Sequence, residues 1–277
     1  MAKNLNYILG HSKEELDRLT RQADFYRVLT GNLLVNAGIT KGMRVIDFGS
    51  GSGDVSIMLS EMVGDTGEVI AVERAEDALD RAKKRVDSLG IKNIRFIEGD
   101  ENDLSGKLKD KKVDAVFGRL ILIHQSDAVN AFCKICENLK PGGIVVFQEA
   151  DIVAGFWAEP FLPLMSQIYD WLIRAFLAHG IHGNISSVIV NAFDKVGIVD
   201  RHIVREGIVQ SGPDANGYDY YADAARASLP VMIKYEIATA EQVDVDTLAE
   251  RLRAEAVEHN ASFIPLYLTG AYGRMPG

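Results

Sequence analysis

Cysteine is almost missing from this chain: Cys133 and Cys136 are the only two in 277 residues. A disulfide framework is thereby excluded as the source of stability, and a chain of this length buries enough apolar surface to fold without one. The C-x-x-C spacing admits a redox pair or half of a metal site, yet no second Cys/His pair stands at finger spacing. Residues 131–136 read instead as amphipathic helix, where small cysteines pack as weak hydrophobes. Long apolar runs are also lacking, and the first residues do not follow the basic, apolar and small-residue order of a signal peptide. A cytoplasmic protein with no membrane partner is therefore expected. Positive charge is in deficit as well. Thirty Lys and Arg face 39 Asp and Glu, a net charge of -9 that opposes counterion release along a phosphate backbone, so no nucleic-acid partner is expected. The densest lysine stretch, 107–112, is broken by Leu108 and Asp110 and reads as a solvated loop.

What is present is the composition of an ordinary globular protein, 47% hydrophobic and 25% charged, without repeats or long linkers. Residues 12–37 predict a helix, with Ser12 as N-cap, Glu15 completing a capping box, and Leu16, Leu19, Ala23 and Tyr26 on one face. Short apolar runs at 44–48, 69–72, 94–97, 115–117 and 144–148 then alternate with amphipathic stretches. That rhythm predicts βαβ units and a mostly parallel sheet, with Pro141-Gly142-Gly143 ending a helix before the fifth strand. After Glu149 the rhythm changes: helices are expected at 160–179, 186–196, 218–237 and 244–258, and strands at 201–209 and 263–272. The expected division is a helical segment at 1–39, an α/β core at 40–150, and at 151–277 the completion of the sheet with an inserted helical cap. Trp157, Phe161, Met165, Tyr169, Trp171 and Phe176 recur mostly at helical spacing, as a packed cap needs. A fraction of them could line an apolar pocket for a small acceptor.

The strongest motif is Val45-Ile46-Asp47-Phe48-Gly49-Ser50-Gly51-Ser52-Gly53-Asp54, a strand running into a glycine turn and a helix. Glycines let a ligand approach the backbone, and the helix N-terminus offers unpaired N–H groups. Asp54 stands where the dinucleotide fingerprint has Gly or Ala, an unfavourable neighbour for a pyrophosphate and a tolerable one for an ammonium group. Twenty residues after Gly53, Glu73 ends the second strand, where a carboxylate can accept from ribose hydroxyls. The third strand ends in Gly99-Asp100, an acid able to accept from an adenine amino group.

This ordered set, Asp47-x-Gly49-x-Gly51-x-Gly53, Glu73, Gly99-Asp100, Asp114 and Leu139-Lys140-Pro141-Gly142-Gly143, resembles the motifs of the class I S-adenosylmethionine (SAM)-dependent methyltransferases of the small-molecule type, over residues 40–150. The resemblance implies a Rossmann-like fold with a seven-stranded, mostly parallel sheet flanked by helices, an N-terminal helical lid and inserted cap helices. It implies SAM as cofactor and a small-molecule methyl acceptor, and leaves a homodimer open. Gly49, Gly51 and Gly53 would line the methionine portion, with Asp47 orienting the ammonium. Glu73 would hold the ribose and Asp100 the adenine, with Glu101 and Arg119 completing the cofactor set. Tyr7 and Gln22, in the segment that resembles a mobile lid, would join them.

Methyl transfer from a sulfonium is an in-line displacement that needs positioning and, for many acceptors, a base to take a proton. His124, six residues past Gly118 at the end of the fourth strand, is the first candidate base; Glu149, after the fifth strand, is the second, and Asp151 could contact substrate. His179 and His182 form an H-x-x-H without a third ligand at fixed spacing, so no metal is expected. The alternatives are a SAM-binding protein that does not methylate, as a sensor or cyclisation scaffold, and a nicotinamide-dependent reductase. Asp54 and the absence of a Tyr-x-x-x-Lys pair weaken the second.

Overall fold

The computed structural model describes residues 13–109 and 111–277, with side chains from residue 18 onward. The expected capping box, Ser12 with Glu15, thus lies outside the described side chains, while its helix is present as α1, Lys13–Ala37. Strands β1 (Arg44–Phe48), β2 (Glu68–Glu73), β3 (Ile94–Glu98), β4 (Val113–Arg119) and β5 (Leu139–Ala150) alternate with helices α2 (Asp54–Val63), α3 (Glu76–Ser88), α4 (Leu104–Leu108) and α5 (Ala128–Cys136). A short 3-10 turn, Leu122–His124, stands between β4 and α5. Val45, Ile46, Val69, Ile70, Val116, Phe117, Val145 and Val146 are fully buried, the pattern of strands covered by helices on both faces.

These strands join β7 (Val199–Glu206) and β10 (Leu268–Arg274) in one sheet of order β3-β2-β1-β4-β5-β10-β7. The pairings β3 with β2, β2 with β1, β1 with β4 and β4 with β5 are parallel. Chain order runs outward from β1 in one direction and from β4 in the other, so the crevice at their carboxyl ends is the topological switch point where such sheets bind ligands. β5 begins at Leu139, earlier than its apolar run suggests. Leu139 pairs with Val113, and a register irregularity before the Ala115–Ile144 pair takes up the Pro-Gly-Gly segment.

Two compact units divide the described chain. One holds the described residues from 13 to 149 together with 185–204 and 269–277, and so includes α1 and α7 (Ile185–Val196). Leu33, Leu34 and Ala37 of α1 belong to its core with Val45, Leu59 and Phe117, and Phe132 of α5 sits 5.5 Å from Phe193 of α7.

The other unit holds 150–184 and 205–268. It contains β6 (Trp157–Glu159), α6 (Pro163–Ala178), β8 (Gln210–Ser211), α8 (Gly217–Lys234), α9 (Ala240–Val243), α10 (Leu248–Glu258) and β9 (Ser262–Ile264). β6, β9 and β8 form a small antiparallel sheet, and the terminal strand expected at 263–272 divides between β9 in this sheet and β10 in the large one. α6 starts at Pro163, later than its apolar pattern, because Pro fits the first helical turn and Glu255 accepts the N–H groups of Leu164 and Met165. Met165 and Trp171 are core residues, Phe156, Tyr169 and Phe176 pack against that core, and Trp157 and Phe161 stay exposed. No helix among the described residues is long and apolar enough to cross a membrane.

Candidate functional site

The turn from β1 into α2 uses three glycines with positive φ, for two different reasons. At Gly49, φ is 72° and an added Cβ would lie 2.8 Å from Ile121 Cδ1. At Gly53, φ is 84° and the added atom would lie 3.1 Å from Ala82 Cβ, so the glycine admits α3. At Gly51, φ is 53° and nothing stands within 4 Å of the added atom. Two of these glycines serve packing of the protein against itself, and the middle one leaves backbone facing open space, as a cofactor cradle requires. The turn is anchored by the N–H groups of Gly49 and Ser50, which donate to the Val72 carbonyl at 2.9 and 3.0 Å, and by Gly51 N–H, which donates to Glu73 Oε2 at 3.0 Å.

Charged side chains frame this turn. Asp47 is buried, and its Oδ2 accepts from Ser56 Oγ at 2.5 Å. Burial pushes its carboxyl up to about 6, against the pull of the Ser56 bond and of Arg119. Arg119, at the end of β4, is lowered by burial and held charged by Asp54 and Asp47. It donates to Thr30 Oγ1 of α1 at 3.1 Å, and Thr30 donates in turn to Gln148 Oε1 at 2.6 Å. Asp54, read from the sequence as a bare anion, is paired: Arg85 Nη2 donates to its Oδ1 at 2.8 Å and Ser52 Oγ to its Oδ2 at 2.9 Å. Gln22 is half-buried on α1, at helical i, i+4 spacing between buried Arg18 and Tyr26. Tyr7 lies outside the described residues.

At the end of β2, Glu73 accepts from Gly51 N–H and, through Oε1, from Arg74 and Ala75 N–H at 2.8 and 2.9 Å. The acid expected at the ribose thus also ties the glycine turn to the start of α3. Asp100 follows β3 and accepts through Oδ1 from Asn102 N–H at 2.8 Å and Asn102 Nδ2 at 3.1 Å. Glu101 is half-buried beside it.

Glu149 is fully buried on β5, with its carboxylate turned onto the segment after β4. Oε1 accepts from Ile121 and Leu122 N–H at 3.1 and 2.9 Å, and Oε2 from Ile123 N–H at 3.2 Å. Burial raises its carboxyl to about 7 despite those three donors. Half-buried His124 closes the same 3-10 turn, directly after the residues that Glu149 holds. In the other unit, Asp151 is paired with Arg205. Among the described residues no group of three or more His, Cys, Asp or Glu side chains is arranged to hold a metal ion.

Arg85, Thr30 and Gln148 take part in this frame without any motif to mark them. Arg85 sits on α3 and donates from Nη1 to the Ser52 carbonyl at 2.7 Å while Nη2 holds Asp54. Its place in the Arg-Ala-Lys-Lys-Arg run looks like any solvated helix face. Arg85→Ala is expected to weaken SAM binding by about 1–2 kcal/mol through loss of two charge-assisted contacts to the turn, with a smaller loss of folding stability. Calorimetric titration of the folded variant checks this, and unchanged affinity would remove Arg85 from the frame.

Residues 39–175 match a family model described as a methyltransferase domain. A demethylmenaquinone methyltransferase from Staphylococcus aureus is 29% identical over 169 residues, 60% of this chain and 66% of that protein, so the chain spans just under two thirds of the relatives it matches. Two solved structures share the fold: the YcgJ protein from Bacillus subtilis, with TM-score 0.59, 17% identity and coverage of 89% of this chain and 97% of that one, and a putative methyltransferase from Bacillus halodurans, with TM-score 0.57, 15% identity and coverage of 89% and 98%. By this match, by its ordered motifs and by the seven-stranded sheet, the stretch 39–175 is similar to the class I SAM-dependent methyltransferases.

Proposed function

We propose that this protein transfers a methyl group from SAM to a small organic acceptor, with residues at the carboxyl ends of β1, β2, β3 and β4 holding the cofactor. The observation that carries this is the open backbone at Gly51, framed by Asp47, Glu73 and Arg119. SAM, when bound, supplies the reactive sulfonium methyl. The chain's own residues would bind and orient it. Asp47 would orient the ammonium, with Arg119 opposite in charge for the carboxylate, Glu73 facing the ribose, Asp100 and Glu101 the adenine end, and Gln22 joining the set. His124 would take the acceptor's proton, and Glu149 would act through it by fixing residues 121–123. The relative's name gives demethylmenaquinone as its acceptor. At 29% identity that supports a small organic acceptor without selecting one.

SAM or S-adenosylhomocysteine at 100 times its Kd is expected to stabilise the folded protein by about 2.7 kcal/mol, while NAD does not. Differential scanning calorimetry checks this. Equal stabilisation by NAD would return the site to a dinucleotide, and SAM binding without formation of S-adenosylhomocysteine across an acceptor panel would leave a non-methylating SAM protein.

A further inference from the structure

Three strands of the large sheet bring chemistry to one place that the cofactor reading leaves unused. Asp151 directly follows β5, Tyr267 directly precedes β10, and Arg205 is the penultimate residue of β7. All three lie in the same compact unit. Asp151 N–H donates to the Tyr267 carbonyl at 2.9 Å, and Arg205 donates from Nε at 3.0 Å and Nη2 at 2.7 Å to one oxygen, Asp151 Oδ2. The edge of the guanidinium formed by Nε and Nη2 is therefore occupied. The end formed by Nη1 and the second Nη2 hydrogen has no partner among the described residues, and this is the fork that takes a carboxylate or phosphate in two parallel bonds.

Burial sets the two partners apart. The Asp151 side chain is 2% exposed and the Arg205 side chain 51%, so the carboxylate is sealed in and the guanidinium reaches solvent. A buried acid that clamps one edge of an exposed arginine fixes the direction of its other edge. The Tyr267 ring lies over Gly207, two residues beyond Arg205, where an added Cβ would come within 3.2 Å of it. Tyr267 is half-buried, and its hydroxyl makes no hydrogen bond among the described residues and is a second donor on the same stretch. The Asp151 position also lies just past the carboxyl end of a parallel strand, where ligands of such sheets collect.

We propose that Arg205, oriented by Asp151 and joined by the Tyr267 hydroxyl, binds the oxyanion of a small organic ligand, a carboxylate or a phosphate ester. A tie between β5 and β7 alone would need the ion pair and nothing more, and the test separates the two.

Benzoate serves as the probe and benzyl alcohol, the same ring without the anion, as its control, both titrated by calorimetry into the full chain saturated with S-adenosylhomocysteine. Benzoate is expected to bind and benzyl alcohol to bind at least tenfold more weakly. Arg205→Lys keeps a cation for Asp151 but loses the second fork; its melting temperature should stay near that of the parent while benzoate affinity falls about tenfold. Tyr267→Phe should give a smaller loss. Equal binding of the two probes, no binding of benzoate, or full benzoate affinity in Arg205→Lys would each overturn the oxyanion site and leave Arg205 as a structural tie. S-adenosylhomocysteine affinity, measured in the same titrations before the probe is added, reports separately on the cofactor assignment.

Discussion

Gly51→Ala is expected to separate cofactor binding from folding at the glycine turn. At this position φ is 53°, inside the left-handed region, and nothing lies within 4 Å of the new methyl group. The folded state should lose only about 1–2 kcal/mol, the usual cost of a non-glycine residue in that conformation. The methyl group would, however, project into the open space where SAM is proposed to meet the backbone. SAM affinity should fall about a hundredfold, equivalent to roughly 2.7 kcal/mol. Gly49→Ala provides the contrast. There the new atom meets Ile121 Cδ1 at 2.8 Å and Cγ1 at 2.9 Å, so overpacking of about 1–3 kcal/mol adds to the backbone strain. Chemical denaturation and calorimetric titration of both variants check the pair. If Gly51→Ala binds SAM like the parent protein, the open backbone is not the cradle.

The contrast between those two glycines shows where sequence ran out. G-x-G-x-G after an apolar strand gives the turn, since only glycine enters positive φ without strain, and the alternating apolar runs give the sheet, since strands buried on both faces must be apolar throughout. Neither tells Gly51, which faces space, from Gly53, which faces Ala82 across 28 residues of chain. Asp54 illustrates the same limit. As a letter it is an anion beside a phosphate site; in the structure Arg85, 31 residues on, pairs with it, so its charge alone is a weaker argument against a dinucleotide. The second unit was least legible. Its β6 and β9 are three residues each, too short to show a period, and they pair only because chain folding brings Trp157 opposite Ile264. Glu149 was visible as an acid after a strand. Its three backbone donors come from Ile121, Leu122 and Ile123, nonlocal groups that no side-chain pattern announces.

That arrangement gives the second large effect, at His124. If this histidine removes the acceptor's proton, His124→Ala should lower turnover about a hundredfold while SAM affinity stays the same, because the residue belongs to the turn after β4 and not to the glycine frame. Glu149→Gln tests how the turn is held. An amide offers one acceptor oxygen and directs hydrogens at backbone donors that the carboxylate accepted from, so residues 121–123 should shift and turnover fall by about tenfold or more. The variant should also change the pH dependence of stability. Burial raises the Glu149 carboxyl from 4.5 to about 7 in the folded chain, so the native state binds this proton more tightly than the unfolded one. The resulting stabilisation is complete below pH 4.5 and is lost as pH rises through about 7, a difference of about 3 kcal/mol at most between the two limits. Glu149→Gln, neutral throughout, should lack that slope, so its stability relative to the parent should rise between pH 5 and 8. Denaturation curves across that range check the sign. Parallel curves would mean that Glu149 titrates near its ordinary value, and normal turnover in His124→Ala would take the proton transfer away from His124.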